Sequence, residues 1–118
     1  MEVRPYDQRV DFWRLDGERV EPRSPRILHS DDEANRVILL ALPAGERLAE
    51  HQVHEHALVF VLEGEVVIRA GGDEERLAAQ SLVHFKPAER HEVEAIQDAR
   101  LVLYLAPWPG PGHPSRPD

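Results

Sequence analysis

From Asn35 to Ala106 the sequence is a succession of short aliphatic runs, each closed within a few residues by turn formers. Arg36-Val37-Ile38-Leu39-Leu40-Ala41-Leu42 stops at Pro43-Ala44-Gly45, and Ala57-Leu58-Val59-Phe60-Val61-Leu62 stops at Glu63-Gly64-Glu65. Val66, Ile68 and Ala70 then alternate with Glu65, Val67 and Arg69 and end at Gly71-Gly72-Asp73, a hairpin signal. Ser81–Lys86, His91–Ile96 and Arg100–Leu105 continue the rhythm. No window sustains an i, i+3, i+4, i+7 stripe, and Glu74 to Ala79 has room for one helical turn at most. Short strands at short, even intervals predict an all-β sandwich or barrel.

The flanks differ in character. Residues 1–35 are polar, carry prolines at positions 5, 22 and 25, and read as an N-terminal arm. Within that arm Val10–Leu15 is a candidate strand and Asp16-Gly17 a candidate turn. Residues 107–118 form a Pro/Gly-rich tail that cannot enter a central strand, because proline lacks the N–H a ladder needs. Trp108 is expected to pack onto the barrel. Residues 36–106 are left as the barrel. The 118 residues suffice for one core, and the absence of an internal repeat excludes two fused barrels.

Charge and composition exclude several functions. A formal net charge of −8, with the arginines scattered, disfavours a polyanionic partner, so no nucleic-acid binding is expected. Zero cysteines remove disulfides, thiolate ligands and cysteine nucleophiles, and fit a cytoplasmic protein. MEVRPYDQRV lacks the apolar core of a signal peptide, and the run Val37–Ala44 is far too short to span a bilayer, so no membrane partner is expected. There is no G-x-S-x-G elbow, no G-x-G-x-x-G and no P-loop.

Histidine is the residue type that carries chemistry. His51, His54 and His56 crowd into His51-Gln52-Val53-His54-Glu55-His56. Without thiols, clustered imidazoles are the usual means of holding a transition metal in a small β domain. His91 opens a later strand and shares parity with Val93 and Ala95, so its side chain should point inward. A buried histidine satisfied by hydrogen bonds and a solvated histidine-rich bend are the alternatives, and both stand beside the metal reading. His84 shares parity with Leu82 and Lys86, opposite Val83 and Phe85, and reads as outward and structural.

The segment Leu42-Pro43-Ala44-Gly45-Glu46-Arg47-Leu48-Ala49-Glu50-His51 resembles the opening of the first cupin motif, and Val59-Phe60-Val61-Leu62-Glu63-Gly64-Glu65 resembles its close. Gln80-Ser81-Leu82-Val83-His84-Phe85-Lys86-Pro87-Ala88-Glu89-Arg90-His91 resembles the second motif. The resemblance covers roughly residues 36–106 and implies a cupin double-stranded β-helix, a jelly-roll β-barrel in one domain. Metal-binding cupins supply two histidines and a glutamate from the first motif and one histidine from the second. His51 and His91 match the first and last of these, while Val53 and Ala57 stand at the other two places. Gln80 and Glu89 replace the glycines of the second motif, and Pro87 is displaced by one residue.

The resemblance implies no single reaction. The metal reading assigns His51, His54 or His56, and His91 to a divalent transition ion (Fe, Mn, Ni, Zn or Cu), acting on a small polar metabolite. The other reading is a metal-free small-molecule-binding or sensor barrel. Val59, Val61, Val66, Ile68, Val83 and Phe85 are the parity-based pocket lining. Both faces of several strands are apolar, as in Leu101–Leu105, which implies cover by the arm or by a second copy in a homodimer.

Overall fold

A computed structural model describes residues 10–115. The described residues form nine strands: β1 (Arg26–Asp31), β2 (Asn35–Leu42), β3 (Arg47–His51), β4 (His56–Glu63), β5 (Glu65–Ala70), β6 (Asp73–Ala78), β7 (Ser81–Phe85), β8 (His91–Ala95) and β9 (Ala99–Ala106). They make a five-stranded sheet, β1-β2-β9-β4-β7, and a four-stranded sheet, β3-β8-β5-β6, with every pairing antiparallel. This is the expected all-β jelly roll. None of the described residues forms a helix long and apolar enough to cross a membrane.

Strand alternation builds the core. Ala57, Val59 and Val61 of β4 and Leu101 and Leu105 of β9 face Val66 and Ile68 of β5 and Val93 and Ala95 of β8, all buried. Each larger aliphatic side chain removed from water contributes roughly 1.5–3 kcal/mol. The turn between β4 and β5 carries the chain from one sheet to the other. Gly64 takes φ +83° there, and a Cβ on it would lie 2.2 Å from the Asp98 carbonyl oxygen, so only glycine fits.

Three segments depart from the sequence expectation. The candidate strand at Val10–Leu15 does not form; only the turn is made, its Gly17 N–H donating to Arg14 O at 3.0 Å. Among the described residues no strand pairs with that stretch, whereas Arg26–Asp31, also in the arm segment, pairs with β2 as an edge strand. Arg100 holds the arm to the sheet by donating to Leu15 O at 2.7 Å and Glu18 O at 3.1 Å. Glu74 to Ala79, allotted a helical turn at most, falls largely in the edge strand β6 (Asp73–Ala78), and the polar stretch after Gly45, given no strand in the sequence reading, contains the edge strand β3 (Arg47–His51). Edge strands with most side chains in water lack the apolar alternation that reveals a strand in sequence. The tail behaves as expected: Trp108 packs against the core, with the Arg36 guanidinium 4.0 Å above its ring.

Candidate functional site

β3 and β8 lie side by side with Arg47 opposite Glu94 and Leu48 opposite Val93. Continued regularly, that register would set Glu50 opposite His91. Instead the pairing shifts after Leu48, and His51 lies opposite His91. The extra residue is a β-bulge, which re-aims the side chains beyond it. It overrides plain parity, which would place His51 on the face away from Leu48.

The two imidazoles consequently meet, their ring centroids 4.4 Å apart and tilted by 59°. His91 is only 3% exposed, and its ring stacks on Phe85, a β7 side chain reaching across from the other sheet, at 3.9 Å. His51 is half-buried. Each ring uses Nδ1 toward a carbonyl two residues upstream: His91 Nδ1 to Glu89 O at 3.0 Å, His51 Nδ1 to Ala49 O at 2.8 Å. A carbonyl only accepts, so both Nδ1 atoms carry hydrogen, and in the neutral rings both Nε2 atoms keep their lone pairs. Burial pushes the His91 pKa below the usual histidine range; the Glu89 carbonyl opposes this and the nearby His51 adds to it. The site therefore presents two imidazoles with their Nε2 atoms free, oriented by backbone carbonyls as ligating histidines commonly are.

The neighbouring histidines go elsewhere. His54, between β3 and β4, sits edge-on to His113 of the tail at 5.6 Å. His56 lies on the outer face of β4 with Leu58 and Phe60, where it pairs with His84 of β7. Among the described residues no group of three or more His, Cys, Asp or Glu side chains is arranged to hold a metal. A cleft of about 290 Å³ opens between the β5–β6 hairpin and β7, with Ile68, Val83 and Phe85 of the expected lining in its wall. Val59, Val61 and Val66 are closed in the core instead.

Glu55 was not anticipated. It is 1% exposed, and its Oε2 accepts the Gly110 N–H at 2.7 Å, tying the loop that carries His54 to the tail. A Cβ on Gly110 would lie 2.5 Å from His54 O, so the tail can approach only as glycine. The sequence signal was faint: a glutamate between two histidines reads as surface.

The Cupin domain family model matches residues 38–107. The chain belongs to the cupin family. Solved structures agree in fold. An uncharacterised conserved protein with a double-stranded β-helix domain from Klebsiella pneumoniae superposes with TM-score 0.70 at 19% identity, covering 84% of this chain and 91% of that one. An RmlC-like cupin from Shewanella frigidimarina gives 0.70 at 15%, covering 85% and 93%, and the Cnp3 cupin domain of Schizosaccharomyces pombe gives 0.74 at 14%, covering 82% and 74%. No curated protein matches the chain significantly. In this cupin the two positions in register with the metal-binding pattern, His51 and His91, are the two that the fold brings together. At the other two, Val53 is half-buried and apolar and Ala57 is buried in the core. The residues present thus fit a metal as an open, two-imidazole site and not as a four-ligand one.

Proposed function

We propose that this cupin binds a divalent transition-metal ion through His51 and His91 and presents it to a small polar metabolite. The observation that supports the reading is the paired commitment of both Nδ1 atoms to carbonyls, which leaves two lone-pair nitrogens on adjacent rings. Iron, manganese, nickel, copper or zinc suits imidazole donors. Such an ion would supply Lewis acidity toward a bound oxygen atom. The chain's own part is to orient both rings through their Nδ1 hydrogen bonds and to exclude water from His91 with Phe85 stacked behind it. Metal analysis of protein purified without chelator and desalted tests it. About one ion per chain, lost in the His51→Ala/His91→Ala variant, is expected of an open site. No retained ion after loading with iron, manganese, nickel or zinc would overturn it.

A second reading, a metal-free barrel that binds a small molecule, is favoured by Val53 and Ala57 at ligand positions and by the cleft beside Phe85. A stoichiometric ion on His51 and His91 would sink it. We further propose a homodimer through the five-stranded sheet, whose outer face carries half-buried Leu58, Phe60, Val102 and Tyr104 and exposed Leu82. Light scattering that reports a monomer at micromolar concentration would refute that arrangement.

A further inference from the structure

A second pair of histidines stands on the outer face of the five-stranded sheet, on β4 and β7. β4 and β7 are antiparallel with Leu58 opposite His84, and His56 lies two residues before Leu58 on the same outer face. His56 and His84 are therefore diagonal neighbours, a separation that long side chains bridge. Their rings stack at 5.1 Å, 15° from parallel, and His56 Nδ1 lies 2.9 Å from His84 Nε2. Both side chains are exposed, and both are rooted in regular ladder positions.

We propose that His56 and His84 form a surface chelate for a borderline divalent ion such as Zn²⁺, separate from the His51–His91 pair. Tetrahedral zinc with Zn–N bonds of about 2.0–2.1 Å holds two ligand nitrogens roughly 3.3 Å apart. The present 2.9 Å is within a few tenths of an ångström of that bite, and the exposed rings reach it by turning until both lone pairs converge on one point beside the N–N line. One nitrogen of the pair now donates a hydrogen to the other. On binding, the donor ring carries its hydrogen on its other nitrogen instead, so that both facing nitrogens offer lone pairs. Rooting in two paired strands limits what the rings must lose in freedom to meet the ion. The remaining coordination positions face outward on the sheet face proposed above for the homodimer, open to water in a single chain and to a group of the second copy in the dimer.

The experiment is a Zn²⁺ titration of the intact chain followed by the ¹H–¹⁵N correlations of the histidine rings. The expected result is that His56 Nδ1 and His84 Nε2 shift together, and that His84→Gln lowers the affinity of this step at least tenfold, about 1.4 kcal/mol. Because each ring is read separately, the outcome is independent of whether His51 and His91 also bind. Repeating the titration in the His51→Ala/His91→Ala variant should leave the step unchanged. If His56 and His84 do not shift, if only His54 and His113 respond, or if His84→Gln leaves the affinity unaltered, the chelate does not exist.

Discussion

The His51–His91 and His56–His84 pairs use the same side chains in two environments. The first is turned into the barrel, with His91 buried against Phe85 and both Nδ1 atoms held by carbonyls. The second lies in water, and its two rings have each other as hydrogen-bond partners. Imidazoles become a prepared donor pair when the backbone dictates which nitrogen is free; on the surface they answer to whatever arrives. The outer faces of the two sheets repeat the contrast. Over β8 and β5 runs a lattice in which Arg47 meets Glu92 and Arg69 meets Glu74 and Glu94, while the other sheet shows leucine, phenylalanine and tyrosine.

The largest expected effect separates the two pairs by stability. His91→Ala leaves a cavity beside Phe85 and should cost about 2–4 kcal/mol in urea unfolding. His84→Ala should stay within about 0.5 kcal/mol, as exposed substitutions do. Equal costs would break the comparison. A smaller effect is expected at Glu55. Glu55→Ala removes the acceptor of the buried Gly110 N–H and should cost about 1–3 kcal/mol, with faster hydrogen exchange at Gly110. Unchanged exchange there would mean that contacts other than this hydrogen bond hold the tail.

In metal-free protein, stability should depend on pH through His91. Burial depresses the His91 pKa in the folded state, so the unfolded chain binds its proton more readily. The stability from a neutral His91 is fully present above the unfolded value of about 6.5 and is lost as pH falls from there toward the lowered folded value. Relative to His91→Phe, the wild type should lose stability over that window. Parallel curves for the two proteins would show that the ring is not kept neutral by the fold. The smallest effect should come from the ionic lattice: Arg69→Ala is expected to leave the urea midpoint unmoved, since exposed ion pairs contribute little.

Much of the fold was legible in the sequence because its central strands bury one or both faces. β2, β4 and β9 appear as aliphatic runs and β5 and β8 as alternations, with turn residues behind them, and Gly71-Gly72 marks the β5–β6 hairpin. β1, β3 and β6 were less visible, since an edge strand needs apolar residues on only part of its length. At the site, the inward direction of His91 followed from parity with Val93 and Ala95. His51 did not follow, because its direction depends on a bulge that no residue between Arg47 and His51 announces.

The sequence by itself determined that the chain makes short strands around one core, that it turns at Gly64, and that imidazoles are the donors available. Periodicity and residue chemistry are local properties, readable one segment at a time. Only the tertiary structure decided how the histidines divide. The bulge in β3 turned His51 toward His91, the β4–β7 register set His56 against His84, and the returning tail met His54 and Glu55. Each of those pairings joins residues distant in the chain, and strand register, a property of two strands together, selects among them.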